Sequence, residues 1–398
     1  MSMAPQTTFE LTGALTPLAD EAALLQQIAA ETGATLTEAG RSAEGRVIHR
    51  VTLGTGTANT MLIVSLQHGN EPASREAVLQ HIRDLAYSTD PAVLAYLSTH
   101  RLVYVPNASP DGFVAETRLT SQGINMNRDY YVAQAPETQA VLRAVRDTGP
   151  QIIVDMHEMW LPGGTVLWTG YGNGLPGTHP EIQTLGTTMT QHTLSRLASE
   201  GHNGSWYPVT EYPRAGLTAA AGMFHAVGML GESNVLGYTL AERVSIQRRT
   251  MDHFTEWHEA NSATVAAARD ASKEHALTST GADTLAIREQ FIGLDAPEVV
   301  RIAGYRLTEP LDQKYVDLFG ITITDGVANI RQDARGILPQ LLDPAAMDKQ
   351  VEASREIMPQ ALPTSALLGL HVRAGGSTRP VVGIRHRAGG KVHDVTMP

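Results

Sequence analysis

The chain has 398 residues, more than one ordinary domain needs and enough to bury a large core. Lys and Arg number 30 against 41 Asp and Glu, and no basic run offsets the resulting net charge of −11, which argues against a nucleic-acid or anionic-membrane partner. Cysteine is absent, so disulfides, thiolate metal sites and a cysteine nucleophile are excluded. The N-terminal residues carry no apolar core segment, and no stretch approaches the ~18 apolar residues of a membrane span. A soluble, cytoplasmic protein is the expectation.

In chain order, residues 19–32 carry apolar side chains at helical spacing, with Gly33 as a stop. Residues 46–53 alternate as a strand does. Residues 61–66, MLIVSL, form a continuous apolar run of strand length, the pattern of a parallel strand buried on both faces. The run leads straight into Gln67-His68-Gly69-Asn70-Glu71. Pro72 then suits the first turn of a helix that continues amphipathically to Tyr87. Residues 101–105 are a short apolar strand ending in the loop 106–112, and residues 136–147 are helical. Residues 152–156 are a third buried strand, running into His157. Residues 165–169 read as a fourth strand, 181–200 as a helix, 226–230 as a strand ending at Glu232, and 240–271 as a long helix.

This alternation predicts an α/β domain over residues 1–271, with a mixed, largely parallel sheet flanked by helices. Beyond about residue 275 short strands at 299–306, 318–324, 369–373 and 380–385, with glycine turns between them, predict a small β-rich C-terminal domain over 272–398. Sites in open α/β sheets gather beyond the carboxyl ends of the strands. His68, Asp111, His157 and Glu232 all follow strands in this way.

The spacing H-x-x-E at His68 and Glu71 aims an imidazole and a carboxylate at one point, and zinc accepts both ligand types. The spacing is common by chance, and a helix N-terminus gives Glu71 a rival role against the helix dipole. A strand-end histidine such as His157 is equally at home bonded to a neighbour. The shared position of all three beyond buried strands favours a metal site. Gly172-Asn173-Gly174-Leu175-Pro176-Gly177 matches G-x-G-x-x-G, but Pro176 spoils the helix start that a nucleotide site needs. It reads as a loop at a cleft rim near Trp160 and Trp168.

Between these residues the chain carries Pro106-Asn107-Ala108-Ser109-Pro110-Asp111-Gly112, Arg118, and Gly123-Ile124-Asn125-Met126-Asn127-Arg128-Asp129-Tyr130. After them comes Gly231-Glu232-Ser233-Asn234. In this order, residues from roughly 40 to 260 resemble the zinc metallocarboxypeptidase family, bacterial type. The resemblance implies a carboxypeptidase-like fold and one zinc ion per chain, held by His68, Glu71 and His157. It implies Arg118 at the scissile carbonyl and oxyanion, Asn127 and Arg128 on the substrate's terminal carboxylate, Glu232 as general base, and Tyr212 as the tyrosine that covers the bound carboxylate. These roles suit the residue types. A zinc-bound water titrates near neutrality, a carboxylate can shuttle its proton, and arginine's planar fork matches both an oxyanion and a carboxylate.

The implied reaction is hydrolysis of an amide bond next to a free carboxylate, releasing the C-terminal residue of a peptide. The stretch Leu217-Thr218-Ala219-Ala220-Ala221 predicts an apolar side-chain preference, which an inward-pointing Arg214 would turn towards acidic substrates. Two departures stand out. Asn125 occupies the place of an aspartate that fixes a ligand histidine in the family, and the short span from Glu71 to His157 predicts a more open cleft. Two rival readings remain. His68 to Glu71 reads H-G-N-E and Asp155 to His157 reads D-x-H, as in the aspartoacylase and succinylglutamate desuccinylase relatives, which would take an N-acyl amino acid. The other rival is a non-catalytic binding module on the same fold. An oligomer is compatible with the sequence.

Overall fold

The computed structural model describes residues 4–130, 133–171, 178–207 and 216–278, with strands at 304–306, 322–324, 327–329, 371–374, 377–380, 383–388 and 391–396. Helices α1 (Thr8–Thr12) and α2 (Leu18–Glu31) precede strands β1 (Thr35–Arg41), β2 (Val47–Leu53) and β3 (Asn59–Ser65). Next come α3 (Pro72–Ala86), α4 (Pro91–Thr99), β4 (His100–Val105), α5 (Pro110–Ala115), a 3-10 turn at Met126–Arg128, and α6 (Pro136–Thr148). The chain continues through β5 (Ile152–Met159), β6 (Leu167–Tyr171), α7 (Pro180–Ser199), β7 (Gly204–Trp206), α8 (Leu217–Ala220), β8 (Val227–Asn234) and α9 (Leu240–Thr278).

Strands β1 to β8 form one sheet in the order β1-β2-β4-β3-β5-β8-β6-β7. The pairs β4–β3, β3–β5, β5–β8 and β6–β7 are parallel, and β1–β2, β2–β4 and β8–β6 are antiparallel. The expected mixed, largely parallel sheet therefore forms. The sequence reading passed over β1 and β7. Both lie at sheet edges, where half-exposed residues carry little apolar periodicity.

The apolar runs become the central strands because both of their faces are covered. Every residue of β3 and β8 is buried. On one face Met61, Ile63, Val154 and Met229 pack with Val78 and Ile82 of α3 and Phe254 and Trp257 of α9. Burial stabilises each such side chain by about 1.5–3 kcal/mol. Helix α9 runs on to Thr278, past the predicted domain boundary at 271/272. Among the described residues no helix is long and apolar enough to cross a membrane.

Two compact units divide the chain, Met1–Arg355 and Glu356–Pro398. After α9 the first unit holds β9 (Gly304–Arg306), β10 (Thr322–Thr324) and β11 (Val327–Asn329), antiparallel in the order β10-β11-β9. The second contains the antiparallel pairs β12 (His371–Ala374) with β13 (Ser377–Pro380) and β14 (Gly383–Ala388) with β15 (Lys391–Thr396).

Candidate active site

The site is built where β3, β5 and β8 end. After β3 the chain turns sharply at Leu66, whose φ of 53° lies in the left-handed region. A leucine there carries about 1–3 kcal/mol of backbone strain. Its neighbours hold it in place: Ser109 N–H donates to Leu66 O at 3.0 Å and the Leu66 N–H donates to Ser74 Oγ at 3.2 Å. The turn delivers His68 and Glu71 to the sheet edge. Gly69 is required between them, because a Cβ there would lie 1.9 Å from the Gly112 carbonyl carbon.

Glu71 precedes Pro72 at the first position of α3 but does not cap that helix. The free Ala73 N–H donates instead to Glu158 Oε2 at 2.8 Å, and Arg243 pairs with the other Glu158 oxygen. Glu158 thus takes the capping task, and the Glu71 carboxylate is released to face two histidines. His68 Nδ1 lies 2.7 Å from Glu71 Oε1, and His157 Nδ1 lies 2.8 Å from Glu71 Oε2. The potential ligand atoms of the three residues fall within 4.8 Å of one another, and all three residues are buried.

The donor set fits zinc. It offers two imidazole nitrogens and one carboxylate, which leaves a fourth position for water. Each outer imidazole nitrogen has an oxygen to meet: His68 Nε2 is 3.1 Å from Asn125 Oδ1, and His157 Nε2 is 2.8 Å from Asp155 Oδ1. Both rings are therefore oriented with Nδ1 inward. Burial pushes His68 below its ordinary value, against the pull of Glu71. Burial pushes His157 the same way, but Asp155 and Glu71 outweigh it and hold that imidazole well above the usual range. Burial would raise Glu71, yet the two histidines hold its carboxyl below the ordinary range.

Glu232 reaches the same place because β5 and β8 run parallel in a register that sets it beside His157. Burial lifts its carboxyl to about 8, helped by Glu71 and Asp155 and opposed by His157 and Arg118. Arg118, on the loop after α5, places Nη1 3.1 Å from His68 Nδ1 and 3.2 Å from Glu71 Oε1. A cavity of about 320 Å³ opens over these groups, lined further by Arg128, Trp160, Thr218 and Ala219. Arg128 Nη1 donates to the Asn127 carbonyl at 2.6 Å. The Asn127 amide accepts from the Leu217 N–H at 2.8 Å and sets its Nδ2 3.0 Å from His157 Nε2.

The geometry thus gathers His68, Glu71, His157, Glu232, Arg118, Asn127 and Arg128. Tyr212, Arg214 and the glycine-rich loop 172–177 lie outside the described residues. Asp111 belongs elsewhere: it accepts from Ser42, Glu44 and Ser121 and pairs with Arg46, so it ties the β1–β2 hairpin to α5. Sequence reasoning passed over Tyr207, a half-buried wall of the cavity that Glu232 also lines. It follows a strand of only three residues, too short to leave a periodic signal.

A zinc carboxypeptidase family model matches residues 22–282. Carboxypeptidase SOL1 of Arabidopsis thaliana is 24% identical over 169 residues, covering 36% of this chain and 33% of that protein. The chain thus matches about one third of the length of this curated relative. A metallo-carboxypeptidase from Burkholderia cenocepacia superposes with a TM-score of 0.54 at 20% identity, over 61% of this chain and 69% of the other. A Pseudomonas aeruginosa metallo-carboxypeptidase, solved in complex with (2-guanidinoethylmercapto)succinic acid, gives 0.52 at 18%, over 62% and 69%. At such identities the likeness establishes the fold, and it is the carboxypeptidase-like fold expected from the sequence.

Proposed function

Because this chain belongs to the zinc carboxypeptidase family, we propose that it hydrolyses the amide bond before a free terminal carboxylate and releases the C-terminal residue of a peptide. The observation that carries this reading is the convergence of His68, Glu71, His157, Glu232, Arg118 and Arg128 on one cavity. Zinc held by the first three supplies Lewis acidity and a water of near-neutral pKa.

The chain's own groups do the rest. Glu232 takes a proton from the attacking water and returns it to the leaving amine. The Arg118 side chain, 37% exposed towards the cavity, meets the oxyanion as it develops. Arg128 pairs with the terminal carboxylate through two parallel charge-assisted bonds. The Asn127 amide, held by the Leu217 N–H, forms the wall against which that carboxylate rests. The resemblance assigns Tyr212 the task of covering that carboxylate.

The small residues Gly216, Thr218 and Ala219, with Leu230, make a short uncharged lining that suits an apolar or aromatic terminal side chain. The segment 272–398 is proposed as a separate β-rich domain, supported by the antiparallel pairing of its strands. The pairing of Asp155 with His157 within the D-x-H favours, as a second reading, hydrolysis of N-acyl amino acids.

The test is a matched panel of peptides ending in Phe, Lys or Glu, with N-acyl amino acids alongside. The expected outcome is chelator-sensitive release of Phe, with kcat falling about 10²–10⁴-fold in Glu232→Gln while zinc is retained. Preferred release of Lys would overturn the side-chain preference. Turnover of N-acyl amino acids alone would replace the peptidase by the deacylase.

A further inference from the structure

The resemblance places an aspartate behind His68, but the residue there is the neutral Asn125. A carboxylate stands instead behind the other ligand histidine. Asp155 and His157 are alternate residues of β5 and so project from the same face. Asp155 Oδ1 lies 2.8 Å from His157 Nε2. Gln67 Nε2 donates to the same Asp155 oxygen at 2.5 Å, and Tyr130 O–H donates to Gln67 Oε1 at 2.7 Å. Asp155, Gln67 and Tyr130 are all fully buried.

The other oxygen, Asp155 Oδ2, is buried without a hydrogen-bond partner. A packed interior seldom keeps an incompletely satisfied carboxylate for stability alone, since an unsatisfied buried polar group is destabilising. Asn127 Nδ2 also approaches His157 Nε2, at 3.0 Å, but both are donors once Nδ1 faces the ligand position. The carboxylate is therefore the acceptor for that imidazole proton.

We propose that Asp155 is the positioning residue that sets metal affinity, anchored by Gln67 and Tyr130. In this chain the carboxylate that meets a ligand histidine stands on the His157 side of the centre, and a neutral amide stands on the His68 side. Asn125 orients without charge: its Oδ1 faces His68 Nε2 and also accepts from the Asn127 N–H at 3.0 Å. The inference rests on the zinc centre described above.

Zinc affinity, measured by competition with a chromophoric chelator on the full chain, tests it without reference to turnover. The unaltered chain is expected to bind one zinc ion. Asp155→Asn should weaken binding about 10–100-fold, and Asn125→Ala less than about tenfold, the worth of one neutral hydrogen bond. An equal or greater loss in Asn125→Ala, or unchanged affinity in Asp155→Asn, would overturn the proposal while leaving the centre intact. No zinc binding by the unaltered chain would remove both. Should Asp155→Asn not fold, Gln67→Met is read in its place. It leaves the carboxylate present but unanchored, so a loss of about threefold or more supports the assignment and no loss overturns it.

Discussion

Two clusters of buried charge sit four residues apart at the start of α3, and they have opposite fates. Glu71 opens the first and Arg75 the second. Arg75 donates to Glu21 at 2.6 Å and to Glu76 at 2.9 Å, and its guanidinium lies 4.3 Å from the centre of the Phe113 ring. Thr16 supplies two further donors to Glu76, and Asn107 one to Glu21. That cluster is sealed by packing. Around Glu71 the ligand atoms of His68 and His157 converge on one carboxylate, and Arg118 and the cavity leave the centre open on one side. The difference teaches that burying charge does not by itself make a site. What marks the site is converging ligand atoms and an opening.

Breaking each cluster should have opposite consequences. The largest effect is expected from Glu71→Ala, which removes the residue bridging both histidines. Zinc content and peptide turnover should fall to background while the circular dichroism of the fold persists. Retained stoichiometric zinc would place the metal elsewhere.

Glu21→Ala should do the reverse. It strips one partner from a buried ion pair, which costs about 3–5 kcal/mol of stability. Denaturant unfolding should register that loss, and zinc affinity should stay within experimental scatter. An equal effect on zinc would merge the two clusters into one functional unit.

The smallest effect concerns pH. In the metal-free protein Glu232 has a folded value of about 8 against an ordinary 4.5. Its neutral form is the one burial favours. That contribution to stability is therefore whole below about 4.5 and is lost as pH rises through about 8. Glu158, raised by burial to about 7 against the pull of Arg243, has the same sign. The melting temperature of the metal-free chain should therefore fall from pH 5 to pH 9, and less steeply in Glu232→Gln. Equal slopes in the two proteins would mean that Glu232 is ionised in the folded state.

Much of the centre was legible in the chain itself. His68, Glu71 and His157 stand at the ends of apolar runs, and a parallel strand buried on both faces announces itself by unbroken hydrophobicity. Pro72 announced the helix that follows Glu71. The edges were not legible, because β1 alternates weakly and β7 spans three residues. Asp111 shows the limit of arguing from position. It follows a strand as His157 does, yet it faces a hairpin 65–69 positions away in sequence.

By itself, then, the order of residues determined the α/β class and carried the resemblance that names His68, Glu71 and His157 as candidate ligands, because periodicity and motif order are properties of the chain itself. Only the tertiary structure decided which oxygen meets each outer imidazole nitrogen, that Glu158 rather than Glu71 caps α3, and that Tyr207 lines the cavity with Glu232. Those choices join β5 to α3, to the loop around Asn125 and to the end of β7. They depend on strand order and register, which no local pattern encodes.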